Sequence, residues 1–262
     1  MTSARLSPWN VFWLVLAALY FLVPLYGSLE FSLETGPGTY GFDAYKEILQ
    51  DPAFASSFFF SLKLAVGTVA ISLVLMVPTV YWVNLKLPRL RRVIDFIAVL
   101  PFVVPPIALA VGVLRLFQPM LWLISGPQIL VLVYVILALP FTYRSLDAGL
   151  RALDLRTLTE AAQSLGAGWI TILLRVILPN LRFAMLSAAF LTVTLVMGEY
   201  TISSLMLFNT FAVYINYIGG TKANPAAALA MISFALTWAA MLGILFLGRG
   251  VGRRHVQIGG TR

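Results

Sequence analysis

Thr157-Leu158-Thr159-Glu160-Ala161-Ala162-Gln163-Ser164-Leu165-Gly166, running on through Trp169 to Leu178-Pro179, is the stretch on which the fold turns. It is a polar, helix-patterned insert between long apolar segments. Asp154 and Thr157 both suit a helix N-cap, and Thr157-x-x-Glu160 matches a capping box, in which the carboxylate reaches back to a free backbone amide. Gly166, followed by Gly168, is a natural stop. A second apolar run, Trp169 to Leu178, follows, and Pro179 is expected to break it just before the next span. The pattern predicts helix, turn, helix, lying outside the apolar layer. Small residues at Ala161 and Ala162 leave room for a close neighbour. On the residues alone the hairpin is either a docking element or a connector.

The rest of the chain explains why the insert stands out. Of 262 residues, 60% are hydrophobic and only 11% are charged, with a mean hydropathy of +0.93. A soluble domain cannot cover its surface with so few charges. Six apolar segments, at about 9–29, 59–84, 93–117, 121–143, 183–207 and 225–248, are each long enough to cross a bilayer as a helix, which takes roughly 20 residues. None alternates with the period of a barrel strand. There is no internal repeat and no low-complexity tract. The first segment is too long for a signal-peptide core, so a retained first span is expected. Without cysteine, disulfides, thiolate catalysis and Cys-ligated metals are excluded. The single histidine, His255, sits in a polar tail and reads as a solvated residue.

The net charge of +8 would suggest nucleic acid in a soluble protein. Here the charges flank the spans, and the positive-inside rule accounts for them. With an inside N-terminus, the inner segments hold Arg5; Lys86, Arg89, Arg91 and Arg92; Arg144, Arg151, Arg156, Arg175 and Arg182; and Arg249, Arg253, Arg254 and Arg262, which is 14 of the 18 basic residues. The outer segments hold Lys46 and Lys222, with Glu30, Glu34, Asp43, Glu47 and Asp51. Both termini are therefore expected in the cytoplasm, and the hairpin occupies the one long inner loop. A structureless loop of that length would be unusual. In the first outer loop, Phe42 to Leu49 has apolar residues at helical spacing. It predicts a short amphipathic helix, either facing an external partner or packed on its own chain.

The hairpin also carries a family pattern. Glu160-Ala161-Ala162, three residues, Gly166, nine residues, Val176, one residue, Leu178-Pro179 resembles the signature of permease subunits of type I binding-protein-dependent ABC importers. That family more often has Ile where this chain has Val176. The six-span topology, the motif's place between spans four and five, and the chain length agree with it. The resemblance implies that Glu160, Ala161, Ala162, Gly166, Leu178 and Pro179 form a coupling element that docks into a groove on a cytoplasmic ATPase and is moved by it. It implies two permease subunits, identical or related, two ATPase subunits that hold the ATP and Mg, and an external substrate-binding protein. The chain has no G-x-x-x-x-G-K-[ST] phosphate loop, so the nucleotide chemistry is expected in trans. It carries no catalytic residue, metal site or cofactor of its own, and a bacterial inner membrane is the expected location.

Some charges and breaks fall inside the spans. Glu199 lies in the fifth, within Gly198-Glu199-Tyr200-Thr201-Ile202-Ser203. A charge at the bilayer centre costs about 2.5–3.5 kcal/mol on insertion scales, so it faces a cavity, a pathway, a structural partner or interfacial water. Gly198, Glu199, Tyr200 and Ser203 are the candidate substrate pathway. Met197-Gly198-Glu199-Tyr200 also resembles a segment in the family branch that carries polyamines, ferric iron and thiamine. An acid suits a cation, which favours a polyamine, although the acid serves gating equally well. Arg115 and Lys63 lie near span ends, where long side chains snorkel. Pro101, Pro105 and Pro106 predict a kink or break in the third span. Trp, Tyr and Met fit interface belts and packing.

These readings predict an all-α membrane protein with six transmembrane helices, one domain over 1–262 and a coupling hairpin at about 150–179. Two other classes fit less well. A secondary transporter or channel would show intramembrane acid–base pairs or an inverted repeat. A polytopic membrane enzyme would show clustered His, Asp, Glu or Ser at one face.

Overall fold

The structure, a computed structural model, describes residues 8–36, 38–117 and 126–249. The expected start of the fourth span, near 121, and the tail with His255 lie outside them. Twelve α-helices carry the described chain: α1 (Pro8–Leu33), α2 (Asp43–Gln50), α3 (Pro52–Leu85), α4 (Arg91–Val103), α5 (Pro106–Phe117), α6 (Gln128–Arg151), α7 (Leu155–Ser164), α8 (Trp169–Ile172), α9 (Leu178–Gly198), α10 (Thr201–Leu205), α11 (Phe211–Thr221) and α12 (Ala223–Arg249). A small antiparallel ribbon, β1 (Glu34–Gly36) with β2 (Thr39–Tyr40), follows α1. The architecture is all-α. Among the described residues, four helices are long and apolar enough to cross a membrane, or five if the bent α4–α5 pair is one span. The sixth expected span corresponds to α12, whose apolar described part is Ala223–Ala239.

Helix lengths say where the ends stand. At 1.5 Å per residue, a helix of α3's length reaches about 50 Å, against roughly 30 Å of hydrocarbon. The unbroken helical path from Trp169 to Gly198 has 30 residues, so it too outreaches the apolar layer. Pro24, Pro78, Pro101 and Pro140 lie inside helices without ending them, as neighbouring helices in a bilayer allow. The expected break in the third span is real but local. Val104, forced away from the helical region by the proline after it, has φ −85° and ψ 121°. Pro106 then opens α5 at 100° to α4.

The chain forms two compact units. One comprises residues up to Ala55 together with Tyr214–Leu236. Here α2 buries Ala44 and Ile48 on its apolar face, and the Tyr45 hydroxyl pairs with Ser32 at 2.7 Å. Of the two roles the sequence leaves open for this helix, its apolar face serves packing on its own chain. Asn224 donates to the carbonyls of Glu34 (2.6 Å) and Phe31 (3.1 Å). Lys222 pairs with Glu47, and Tyr214 donates to Asp51 at 2.7 Å.

The other unit, Ser56–Val213 with the chain from Thr237, contains two apolar cores. Its centre is α6, whose buried face runs from Ile129 to Leu150. Helix α9 packs along it. They come close at Gly149, where an added Cβ would lie 2.5 Å from the Ala184 Cβ and 3.1 Å from Leu181 Cδ2. The pair is therefore closed by the absence of one side chain. Gly149→Ala should cost about 1–3 kcal/mol through overpacking and lower the unfolding midpoint of the purified chain. Gly112→Ala, where nothing stands within 4 Å, should not. Equal midpoints for the two variants would contradict this reading.

Candidate functional site

The hairpin begins later than the apolar pattern suggests. The fourth span does not end near Tyr143. Helix α6 continues to Arg151, because Leu146 and Leu150 extend its buried face by two more turns. The expected capping box does not form either. Asp154 is the N-cap of α7, its carboxylate accepting from the Thr157 amide at 3.2 Å. Hydrogen bonding from Thr157 holds the Asp154 carboxyl below the ordinary carboxylate range. The cap is therefore intact at neutral pH and fails as pH falls through that lowered value. Freed from the cap, Glu160 pairs with Arg156 one turn earlier, at 2.7 Å.

At its other end α7 stops as expected. Gly166 has φ +78°, the left-handed conformation that glycine adopts without a Cβ clash. Its amide bonds to the Gln163 carbonyl (2.9 Å), and the Ala167 amide bonds to Ala162 (3.0 Å). That pair of bonds is a Schellman motif. Between the caps the helix is two-faced. Leu155, Thr159 and Ala162 are buried, with Thr159 against the Tyr81 hydroxyl at 3.3 Å. Glu160, Ala161, Ser164, Leu165 and Gly166 are exposed, and Leu165 is 88% exposed at the tip. So Ala162 packs on its own chain, and Ala161 is exposed.

The return arm differs from the expected break at Pro179. It is continuous, with a π-helical turn at Leu173–Ile177 between α8 and α9. Proline lacks an amide and clashes with the carbonyl four residues back. The wider π turn just ahead of it gives that carbonyl room, and the Asn180 side chain caps the Val176 carbonyl at 2.7 Å. Leu178 and Pro179 therefore open α9 instead of ending a helix. Ile172, Leu173 and Ile177 join Val77, Val80, Tyr81, Leu146 and Leu181 in one core, and Trp169 stands 6.1 Å from Trp82 of α3. The hairpin is anchored on one face and open on the other.

A charged cluster at the hairpin's root was not legible as such. Asp147, one of the least exposed acids, accepts from Asn84 of α3 (3.1 Å) and from Arg91 of α4 through both oxygens (3.1 Å each), and pairs with Arg151 of its own helix. Arg91 and Arg151 counted only as topology signals in the sequence. The available clue was a lone acid, Asp147, one turn before Arg151 at the basic end of an apolar helix.

The second candidate region is the end of α9. The fifth span does not run to 207. It ends at Gly198, Glu199 is extended (φ −78°, ψ 111°), and α10 and α11 follow as separate helices. Glu199 causes the break and caps what comes after it. Its two oxygens accept from the Ile202 amide (2.8 Å), the Ser203 amide (3.2 Å) and the Tyr134 hydroxyl of α6 (3.1 Å). A side chain that satisfies free amides at a helix start is stabilising there. Gly198 and Tyr200 are exposed and Glu199 is half-buried. Ser203 is fully buried, with its hydroxyl on the Glu199 carbonyl at 3.0 Å and accepting from Thr210 at 2.9 Å. Helix α10 closes with the same two bonds that end α7, from the Leu207 and Phe208 amides to Ser204 and Ser203. Here the left-handed position is a leucine, Leu207, at φ +61°.

The chain is similar to known proteins in sequence and in fold. The family described as the binding-protein-dependent transport system inner membrane component matches residues 77–255, which takes in the hairpin, the Asp147 cluster and the Glu199 break. A probable molybdenum ABC transporter permease protein of Haloferax volcanii is 27% identical over 88% of this chain and 89% of its own length. A probable ABC transporter permease protein of Sinorhizobium fredii is 26% identical over 90% of this chain, which spans 43% of that longer protein. Among solved structures, a bacterial ABC transporter involved in import of the acidic polysaccharide alginate has a TM-score of 0.71 at 16% identity, covering 94% of this chain and 96% of that one. An amino acid ABC transporter has a TM-score of 0.55 at 20% identity, covering 80% and 99%. The two solved structures show the fold alone. The family match rests on the sequence itself: the chain belongs to the binding-protein-dependent transport system inner membrane components, and is an integral membrane permease subunit of the ABC importer class.

Proposed function

We propose that this chain is one of two permease subunits of an ATP-driven importer, acting as a single transmembrane domain whose pathway forms between itself and an identical or related partner. Two ATPase subunits bind the α7 hairpin and hold the ATP and Mg. A soluble binding protein delivers cargo on the opposite side; a solved alginate transporter of the same fold is in complex with an alginate pentasaccharide-bound periplasmic protein. The membrane is the inner membrane of a bacterium, with both chain ends in the cytoplasm. This chain performs no bond chemistry.

One observation carries the reading: α7 is capped at both ends, locked to its own core through Leu155, Thr159 and Ala162, and presents Glu160, Ala161, Leu165 and Gly166 outward. A mere connector has no need of a rigid, displayed face ending in an exposed leucine. Force applied at Leu165 reaches α9 through the continuous return arm, and reaches α6 across the short turn between Arg151 and Leu155. The Gly166 conformation is the sensitive point. A non-glycine residue held there costs about 1–2 kcal/mol, and a β-branched one adapts worst. Gly166→Val should abolish ATP-driven uptake, with the ATPase detached or hydrolysing without transport. Gly168→Ala, at φ −72° in open space, should transport normally. Normal uptake by Gly166→Val would sink the coupling role.

For the cargo, the sequence favours a polyamine on the strength of Glu199. The relatives named above carry molybdenum, alginate or amino acid in their names. The geometry bears on the same question, since both Glu199 oxygens already serve three donors. We assign Glu199 to holding the α9–α10 break that Gly198 and Tyr200 expose to the pathway, with Ser203 buttressing it from behind. The cargo class is set by the binding protein. Glu199→Gln should then lower the maximal uptake rate and leave the half-saturating substrate concentration unchanged. A rise in that concentration with an unchanged maximal rate would restore the acid as a cation ligand.

A further inference from the structure

Helix α4 presents two stripes, and arginine heads each of them. Ile94, Ala98 and Pro101 face the rest of the chain: Ile94 packs on an apolar core, and Ala98 and Pro101 are buried. Arg91, one turn before Ile94, turns the same way and is neutralised by Asp147. Val93, Phe96, Ile97 and Leu100 share another face at helical spacing and are exposed, Phe96 by 67%. Arg92 begins that stripe, and Arg89 stands in the turn ahead of it. Both are exposed, and neither forms an ion pair among the described residues.

Helix α3 sets the depth of these arginines. Its residues 64–85 carry no charge, and at 1.5 Å per residue they cover roughly 33 Å, against about 30 Å of hydrocarbon. Lys86 therefore stands at headgroup level. Its ammonium lies 4.4 Å from the centre of the Trp82 ring, a pairing of aromatic and cation suited to that level. The connection to α4 is tight, with the Leu90 amide on the Leu87 carbonyl and the Ile94 amide on the Leu90 carbonyl, each at 3.0 Å. Arg89 and Arg92 thus stand near the same level, at the head of an apolar stripe that enters the hydrocarbon.

We propose that Arg89, Arg92 and this stripe form a site for an anionic phospholipid. The two guanidiniums hold the headgroup phosphate, whose geometry they match, and an acyl chain lies along Val93, Phe96, Ile97 and Leu100. Each basic side chain at an anionic surface strengthens binding about fivefold. A second copy of the chain covers the stripe poorly. Copies of one topology meet at equal depth, so arginine would face arginine, and like charges repel. The site requires only that α3 spans the membrane; the orientation proposed above places it in the inner leaflet.

The test uses the full chain in phosphatidylcholine nanodiscs doped with phosphatidylglycerol whose acyl tail carries a diazirine, or with phosphatidylcholine labelled in the same way. Photoproducts are mapped by peptide mass spectrometry. The phosphatidylglycerol probe should label residues 93–100 well above the phosphatidylcholine probe. Arg89→Gln combined with Arg92→Gln should lower that labelling about twentyfold. Arg144→Gln combined with Arg175→Gln removes as much charge from exposed positions off the stripe and should leave the labelling in place. Equal labelling by the two probes overturns the site, because the stripe is then ordinary lipid-facing surface. Equal loss in the two double variants overturns it as well, because only the general field of the basic side is then at work. No labelling of α4 by either probe also overturns it, the stripe then being covered by protein.

Discussion

The close approach of α6 and α9 at Gly149 and Ala184 is the contact on which the rest depends. It holds together the two helices from which the hairpin's arms emerge. Because α6 runs on to Arg151, three residues short of α7, and the return arm is helical from Trp169 into α9, the hairpin is held close to two packed spans and is not a long loop hung between them. Rigid helices transmit displacement, whereas a flexible tether absorbs it. The π turn before Pro179 serves the same end, keeping the return arm unbroken through a residue that would otherwise kink it. The apolar core beneath α7 then fixes which face the hairpin shows.

Where sequence patterns had one physical cause, they were readable. The spans follow from apolar runs, the α4–α5 break from paired prolines, and the end of α7 from Gly166, since few other residues occupy φ +78° without strain. Where two causes compete, local pattern misled. Thr157-x-x-Glu160 has the spacing of a capping box, but Asp154 takes the cap and Arg156 takes Glu160. Pro179 looks like a terminator, but a wide turn accommodates it. Helix α11 was missed because it falls between the fifth and sixth apolar segments and is too short to span, and the left-handed Leu207 turn that sets it off from α10 contains no glycine to mark it. The Asp147 cluster joins α3, α4 and α6 across gaps in sequence that no local reading spans.

The two candidate regions share a physical theme. Each sits where a helix ends inside or at the edge of an apolar layer, and each settles its freed backbone groups with its own side chains: Asp154 at α7, Glu199 at α10. Unsatisfied backbone is costly in lipid, so breaks persist only where such caps exist. An acid in a span is therefore not by itself a cargo ligand. Here it explains how a span is interrupted, and the interruption leaves Gly198 and Tyr200 exposed beside a braced break. The Leu207 backbone, left-handed without glycine, shows how tightly that segment is held.

The account stands on the claim that α7 is gripped by an ATPase. The most direct measurement places a photo-crosslinking residue at Leu165, the exposed tip, in chain co-expressed with its candidate ATPase subunits. A covalent adduct with an ATPase subunit, from Leu165 but not from the buried Leu155, is the predicted result. Adducts with lipid or with this chain alone, in an importer that still transports, would contradict it.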